Sequence, residues 1–471
     1  MSAAKQPNRL LAALMQQAEV SNKGLAARVR DLAARDGETI AADHVSVRRW
    51  LDGTSPKAAT QHYIALALGS KLGRLVTPEE IGFSGGLQAV GVDSTAHGAE
   101  YPADSGTAVD LLGKLTSADL EDQPTLIGST WSTSATPGII TGYLFGDSLH
   151  VADGSELLRS GGPAAQAIRS TAAHFMDLDF HYGGGHVRKL LLFYFKSEIA
   201  PLLRQPHPEH VRRELFSAAA EVAQLLGWSA YDSGRHGAAQ RYFVQGLKLA
   251  REANDSVIGG RLLSNLSHQA NYLGKHADAV QFARAAQSAT LGKATPAVAS
   301  MFLAMEARAL ASGGHVKEFA RVLSQAEQLF DRHSPDDEPE WIRYFNAEEL
   351  AGEAAHGFRD LGRADETRLF ADRAVSAAGT PPRTRAFIGM VSAAGALTNG
   401  DLDEAVALAM DAVDLAGPLQ SSRYTRYLTD FYDSLNQAHA RHPLTARLAE
   451  RILQQYPTLT LGSAVLLSRV A

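Results

Sequence analysis

Apolar residues in the first part of the chain recur at helical spacing in four consecutive segments. Their positions in the first three segments are Leu10, Leu11, Leu14 and Met15, then Leu25, Val29 and Leu32, then Val47, Trp50 and Leu51. Asn8 and Ser21 precede the first two segments, and both residue types are good helix N-caps. The third segment covers residues 42–51 and stops at Gly53, and the fourth covers residues 60–72. The pattern predicts a small four-helix unit.

From about residue 210 the pattern changes to Ala- and Leu-rich helical pairs joined by short turns. Each turn contains a glycine, and these are Gly234, Gly274, Gly314, Gly362 and Gly400, spaced 40, 40, 48 and 38 residues apart. Small residues stand seven positions before each turn glycine and twelve after it: Gly227, Ser267, Ala307, Ala355 and Ala393, then Gly246, Ala286, Ala326, Ala374 and Ala412. A period of this size predicts a helical solenoid, with residues 423–471 as a capping helix pair.

The stretch between these two regions is less regular. Residues 84–108 are rich in Gly, Ser and Ala without periodicity, which predicts a flexible linker. Residues 109–205 form a mainly helical connecting region, in which residues 125–145 fit either a pair of short strands or a loop packed on helices. The sequence therefore predicts an all-α chain with a head at residues 1–83 and a solenoid at residues 206–471.

Charge separates the head from the rest of the chain. The first 74 residues contain eleven Lys or Arg and six acidic residues, a net charge of +5, whereas the whole chain carries −6 and the remainder therefore −11. A basic head on an acidic body indicates that the head alone meets a polyanion.

Composition excludes several classes of protein. The 471 residues include no cysteine, which excludes disulfide scaffolds, thiolate zinc sites, iron–sulfur clusters and cysteine nucleophiles. The longest apolar run, LLLFYF at residues 190–195, is far shorter than the roughly 18 residues that cross a bilayer. The chain also starts without the apolar core of a signal peptide. We therefore expect a soluble, cytoplasmic protein without a membrane partner.

The third predicted helix carries the candidate chemistry of the head. The peptide SVRRWLDGTSP at residues 46–56 resembles the end of the recognition helix and the following turn of repressor-type helix-turn-helix domains. Trp50, Gly53 and Pro56 stand where that family has the same three residue types. The connection at residues 34–41 is longer than the family's usual tight turn.

This resemblance implies that the third helix enters the major groove of double-stranded DNA. His44 and Arg48, one helical turn apart, can reach base edges, and Ser46, Arg49 and Lys57 can hold phosphates. The predicted DNA-contacting set is His44, Val45, Ser46, Arg48, Arg49 and Lys57. The alternative is a small protein-interaction bundle with a solvated pair of arginines.

The repeats resemble tetratricopeptide repeats, in which two small positions let paired helices approach closely. Phe319 stands where that family has Ala. The resemblance implies a concave surface lined by the first helix of each pair. The residues predicted to line it are Trp228, Tyr231, Asn265, His268, Asn271, Tyr272, Met305, Arg308, His356 and Arg359. Asn side chains there can pair with an extended peptide and basic residues with a carboxylate, whereas the alternative for each residue is exposure or packing between repeats.

A wider resemblance covers most of the chain. HYGGGHVRKLLLFYF, LLGWSAYDSGRHGAAQRYFVQGLKLA and LLSNLSHQANYLGKHADAV are similar to segments of large actinobacterial regulators that join a helix-turn-helix to tetratricopeptide-like repeats. Some of these are negative regulators of antibiotic production and sporulation. The architecture is also similar to that of peptide-pheromone regulators of Gram-positive bacteria, whose repeats bind a signal peptide and reposition the DNA-binding heads.

Two further motifs contain residue types that can form chemical sites. His174, Asp177 and His181 share one helical face and can in principle hold a metal, but such a stripe more often borders a core. The glycines at residues 183–185, followed by His186, Arg188 and Lys189, can receive a phosphate, or can form a hinge between two core helices. Neither motif comes with a paired acid and base or an activated nucleophile, so the sequence predicts no enzyme, no cofactor and no metal site.

Together these patterns predict a cytoplasmic, nucleoid-associated transcription regulator that acts as a homodimer, and the resemblance to actinobacterial regulators implies a repressor of development or secondary metabolism. Its head binds double-stranded DNA, and its repeats bind a signal peptide, a small molecule or a protein. The alternative is a scaffold or adaptor whose solenoid binds a protein and whose head is vestigial.

Overall fold

The computed structural model describes residues 7–18, 20–35, 40–72, 76, 81, 98–146, 162–182, 184–375, 379–417, 419 and 421–461. These residues form helices and no strand, as the sequence predicts for an all-α chain. They divide into two compact units, residues 1–93 and residues 94–471, which we call the head and the body.

The described residues of the head form four helices, and the apolar stripes of the sequence face their common core, except for Leu10, which is 55% exposed. The helices are α1 (Arg9–Gln17), α2 (Asn22–Arg35), α3 (His44–Leu51) and α4 (Ala58–Leu72). Leu11, Leu25, Val29, Val47 and Ile64 are completely buried between them. The fourth helix starts two residues earlier than the apolar pattern indicates.

The predicted caps of the head helices are confirmed. The backbone N–H of Leu11 donates to Asn8 Oδ1 at 3.0 Å, and that of Gly24 donates to Ser21 Oγ at 3.2 Å. Asp43 caps α3 by accepting the backbone N–H of Ser46 at 2.7 Å. Gly53 ends the same helix in the left-handed region at φ 90°, a conformation that glycine adopts without a steric penalty.

The body begins with helices that precede the repeats. They are α5 (Ser105–Leu120), α6 (Pro124–Ile127), α7 (Thr136–Phe145), α8 (Pro163–Tyr182), α9 (Gly184–Tyr194) and α10 (Ala200–Leu203). Both alternatives for residues 125–145, a pair of short strands and a loop, are wrong, because helical residues occupy most of this segment. Prolines stand at the starts of α6 and α7, where a missing N–H costs no helical hydrogen bond, and Ile139 and Tyr143 of α7 are buried one turn apart.

Residues from position 98 onward are part of the body, although the sequence assigns residues 84–108 to a linker. Gln245 donates its amide to the Gly98 carbonyl at 2.8 Å, and Lys248 donates to the Ala103 carbonyl at 3.0 Å. Capping by Asp104 then starts α5 four residues earlier than position 109. This segment has no periodic apolar residues, so the sequence pattern gives no sign that it packs on the body. These two carbonyl groups are bonded by side chains that lie about 145 residues away in sequence.

The repeats form an α-solenoid. Its helices are α11 (Glu209–Asp232), α12 (His236–Glu252), α13 (Ser256–Tyr272), α14 (His276–Ala289), α15 (Pro296–Ser312), α16 (Val316–Phe330), α17 (Ala347–Asp360), α18 (Ala364–Ala374), α19 (Pro382–Asn399), α20 (Leu402–Ala416), α21 (Ser422–His439) and α22 (Pro443–Gln455). Each odd-numbered helix from α11 to α19 packs against the next odd-numbered helix, and α8 packs against α11. These helices therefore line the inner surface of the solenoid.

The turns and the small positions are as predicted. All five turn glycines have positive φ, between 68° and 88°. The ten small residues are all buried, because each lies where two helices approach closely. A Cβ on Gly227 would lie 2.4 Å from the ring of Phe243. Phe319, at a position where the resembling repeats have Ala, is accommodated by Gly357, whose Cβ would lie 2.5 Å from the Phe319 ring.

Candidate functional site

The outward surface of α3 is the first candidate site. Val47 and Trp50 point into the head core, with 0% and 6% of their surface exposed. The helical period therefore places His44, Val45, Arg48 and Arg49 outward, and all are exposed. Four of the six predicted DNA-contacting residues thus share one accessible face.

The other two members of that set are Ser46 on the same helix and Lys57 in the turn before α4. Ser46 is half-buried, and its hydroxyl donates to Asp43 Oδ1 at 2.7 Å. The hydrogen bonds from the Ser46 backbone and hydroxyl lower the pKa of Asp43. Lys57 is exposed in the turn that precedes α4. Arg30 of α2 donates to the Ala42 carbonyl and fixes the residues that lead into α3, whereas residues 36–39 of the long connection lie outside the described chain.

The inner surface of the body is the second candidate site, and seven of the ten predicted groove residues meet there. They are Trp228, Tyr231, His268, Tyr272, Arg308, His356 and Arg359. The Tyr231 hydroxyl lies 3.0 Å from His268 Nδ1, and Arg308 Nη1 lies 3.3 Å from His268 Nε2. Trp228 packs edge-on against His268 with the ring centres 5.4 Å apart.

Helix α21 covers this cluster from the inside of the solenoid. The Tyr427 hydroxyl accepts from Arg308 Nη2 at 3.0 Å, and the Tyr427 ring lies 5.8 Å from the ring of His356. Arg308 Nη1 also donates to Glu353 at 2.7 Å. Arg359 sits above the Tyr427 ring at 5.3 Å. The predicted groove residues therefore converge, but a helix of the same chain lies over them.

A buried carboxylate anchors α21. Asp232, at the end of α11, is completely buried and accepts from Arg423 Nε at 2.8 Å. It also accepts from Ser421 Oγ at 2.8 Å and from Arg383 Nη2 at 3.0 Å. The Arg423 guanidinium lies 4.9 Å from the Trp228 ring centre. Its distances from the Tyr231 and Phe387 ring centres are 5.1 and 5.2 Å.

The three remaining predicted groove residues serve the packing of the repeats. Asn265 accepts from the Gln224 amide at 3.1 Å. Asn271 donates to Ser312 Oγ at 3.1 Å and lies 2.9 Å from His276 Nδ1. Met305 is 7% exposed. The Asn side chains thus bond to neighbouring helices rather than to an open groove.

Burial controls the ionisation of the inner surface. Burial lowers the pKa values of His268 and His356 well below the usual range, and nearby Arg308 lowers them further, so both rings are neutral at pH 7. Burial, with a contribution from the neighbouring Glu353, raises the pKa of Glu349 to about 7. Burial also raises the pKa of Asp179, which accepts a hydrogen bond from Arg383. The inner surface thus contains permanent cations and carboxyls that titrate above their usual range.

Sequence reasoning missed the residues that close the inner surface. These are Asp179, Asp232, Glu353, Arg383, Arg423 and Tyr427. The Arg383–Asp232 and Arg423–Asp232 contacts join residues 151 and 191 positions apart. Ion pairs between distant polar residues leave no periodic signal, and the one available hint is an arginine-rich start to the predicted capping helix.

The two other motifs acquire structural roles where they are described. His174 Nδ1 lies 2.6 Å from the Ser170 carbonyl on the same helix, while the side chain of His181 lies outside the described chain. No group of three metal-binding side chains occurs in the described part of the chain. Arg188 is buried and donates to Asp119 at 2.6 Å, and Lys189 lies 3.5 Å from Asp122.

The comparisons with known proteins concern the head. Residues 11–84, which include most of α1 and all of α2 to α4, match the family model described as the SP15 N-terminal domain. No curated protein matches the chain. Among the described residues, no helix combines the length and the apolar character that crossing a membrane requires.

Proposed function

We propose that the chain is a sequence-specific, DNA-binding transcription regulator. The proposal rests on the outward face of α3, which carries His44, Arg48 and Arg49 beside the exposed Lys57. The surrounding 74 residues carry a net charge of +5, while the rest of the chain carries −11. A cationic helix face on a small helical bundle is the form in which many regulators read the major groove.

In this proposal α3 enters the major groove. His44 and Arg48 contact base edges, and Arg49 and Lys57 neutralise phosphates. Val45 offers an apolar contact to a thymine methyl group, and the Ser46 hydroxyl can accept a hydrogen bond while its single proton is donated to Asp43. Arg30 supports this geometry because it holds the residues that lead into α3.

The body supplies regulation in this proposal. Its inner surface collects aromatic and charged side chains of the kind that recognise a peptide, a small molecule or a protein. A homodimer binds two half-sites with raised affinity, and a signal that changes the spacing of the heads weakens operator binding. In the cytoplasm the protein binds the DNA of the nucleoid and represses genes of development or secondary metabolism.

Single alanine substitutions in α3 test the proposal. Arg48→Ala removes a base-edge contact and is expected to cost about 1–3 kcal/mol of binding free energy, mainly on the specific site. Arg49→Ala removes a phosphate contact and is expected to weaken binding to all sequences and to flatten the salt dependence.

Lys71→Ala is the matched control, because Lys71 is exposed in the last turn of α4 and carries the same charge. Binding is measured by fluorescence anisotropy on full-length protein. Equal effects of all three substitutions would contradict a role for α3. A chain that regulates normally in cells after loss of Arg48 and Arg49 would instead be a scaffold with a vestigial head.

A further inference from the structure

The last four helices of the body form a module with its own core. Helices α19 to α22 bury a hydrophobic cluster that is separate from the main cluster of the body, which extends from α5 to α17. Its largest fully buried side chains include Tyr424, Leu428, Tyr432 and Leu435. This module therefore keeps its internal packing if its outer contacts change.

The module has two very different borders. Towards α17 and α18 the border is apolar, because Ile388 and Val391 pack on Ala351, Ala355 and Ala371. This is the ordinary stacking of neighbouring repeats. It keeps the module attached to the preceding repeat when the opposite border opens.

Across the inner surface the hydrogen bonds of the module come from polar side chains. Arg383 donates to Asp232 and to the Asp179 carbonyl, the latter at 2.9 Å. Arg423 donates to Asp232, and Arg426 donates to the Tyr272 carbonyl at 3.0 Å. Long arginine side chains span this border, and ring and guanidinium contacts fill the space between them.

A polar border of this kind is specific but contributes little net stability. Removing two charges from water costs much of what their attraction gains, so a buried ion pair stabilises far less than an apolar contact of the same size. Regions held by few apolar contacts open locally at a lower free energy than the rest of a protein. The inner border is therefore a place at which we expect the body to open at a lower free energy than its apolar core does.

The group at the centre of that border has the form of a binding site. Asp232 supplies a fully buried carboxylate, and Trp228 and Tyr231 supply the aromatic walls. A guanidinium group satisfies both features at once, through charge-assisted hydrogen bonds to the carboxylate and cation–π contacts to the rings. We call Trp228, Tyr231 and Asp232 the guanidinium seat.

We propose that the chain fills this guanidinium seat with its own Arg423, and that release of the α19–α22 module opens the seat to an arginine-bearing peptide. The resident helix α21 is then an internal competitor of the ligand. The inference deepens the proposed signal reception by the body, but it concerns contacts within residues 94–471 and is tested without DNA.

A reversible cross-link tests the release. A Cβ at Gly234 would lie 3.3 Å from Ser422 Cβ, close to the Cβ–Cβ distance of about 3.5–4.5 Å in disulfides. The chain itself contains no cysteine that could compete. The full-length Gly234→Cys/Ser422→Cys protein is therefore locked when oxidised and free when reduced. The single variant Gly234→Cys, exposed to the same oxidant, controls for the strain of a side chain at φ 77°.

The probe is a fluorescent peptide of residues 421–439, with an Arg423→Ala peptide as its control. We expect the reduced protein to bind the probe at least tenfold more tightly than the oxidised protein does. We also expect the reduced protein to bind the control peptide at least tenfold more weakly than it binds the probe. Equal binding in the two redox states, or no binding by the reduced protein, would overturn the proposal.

Hydrogen exchange of the unmodified protein gives a second measurement, should the double variant fail to fold. We expect the amides of α19 to α22 to exchange through an opening that costs less than global unfolding of α11 to α16. Exchange of both regions only through global unfolding would also overturn the proposal. Binding of DNA by the head does not enter either measurement, so the two proposals fail independently.

Discussion

At the scale of single residues, Asp232 joins helices of the body that are far apart in sequence. It is completely buried, and α19 and α21 each place an arginine on it. Breaking one partner of a buried ion pair leaves the other charge without compensation, which is far more costly than never having built the pair.

We expect Asp232→Asn to lower the free energy of unfolding by about 3–5 kcal/mol, because buried Arg423 then lacks a carboxylate and buried Arg383 keeps only Asp179. Asp430→Asn is the matched control, since Asp430 is exposed and lies 3.4 Å from Arg426 in a surface pair. Urea unfolding followed by circular dichroism measures both variants. Similar losses in the two variants would contradict the central position of Asp232.

Glu349 gives the body a dependence on pH. Its neighbours are Glu353 on its own helix and Arg308, Arg383 and Arg423 on the helices opposite. Burial raises its pKa from 4.5 to about 7, so the folded protein binds a proton that the unfolded chain has released. Its contribution to stability is therefore complete below the unfolded pKa and is lost as the pH rises through about 7.

Substitution of this carboxyl is expected to flatten the pH dependence. Between about pH 5 and about pH 8, Glu349→Gln should lose less stability than the parent protein, because the amide has no proton to release. Urea midpoints at the two pH values make the comparison, and other buried carboxyls contribute equally to both proteins. Parallel pH curves for the two proteins would exclude Glu349 as the source.

At the scale of elements, helices follow from local sequence and the contacts between helices follow only in part. Apolar stripes, caps at Asn8 and Ser21, and glycine turns all act within a few residues, and the structure agrees with each. The segment at residues 125–145 is different, because apolar residues occur on all sides of α7 and leave no helical stripe, and because prolines start the helices there. Its helical form depends on packing against α14, which the sequence pattern does not encode.

The small positions of the repeats make a prediction about packing. Gly227→Ala places a Cβ 2.4 Å from Phe243, and we expect this overpacking to cost about 1–3 kcal/mol of stability. Gly138→Ala is the control in another helix, since nothing lies within 4 Å of its added Cβ. That variant should gain up to about 1 kcal/mol from helix propensity alone. Thermal unfolding distinguishes them, and a gain in both would contradict close packing at Gly227.

At the scale of the whole molecule, sequence reasoning identified the inner-surface residues better than their surroundings. The repeat pattern predicts that Tyr231, His268 and Arg308 line a groove, and these residues do meet on the inner surface. Their cover was missed, because Arg383 and Arg423 reach Asp232 across more than 150 residues of sequence. Repeat periodicity encodes the stacking of neighbours, whereas closure depends on the accumulated curvature of all repeats.

The same scale separates the two proposals. The head has the net positive charge and the exposed α3 face that DNA binding requires, and the acidic body contains the inner surface that we assign to regulation. Neither role depends on the other for its chemistry. A regulator needs both, whereas an adaptor needs the body alone.

Selection of genomic fragments by the purified full-length protein, repeated across a salt series, tests the central claim most directly. Our account predicts a recurring, palindromic site whose binding weakens steeply with salt, because several phosphates release counterions on binding. It also predicts that the site is lost from the selection when Arg48 and Arg49 are both replaced by alanine. Recovery of fragments without a shared sequence, or of none at all, would contradict a sequence-specific DNA-binding regulator.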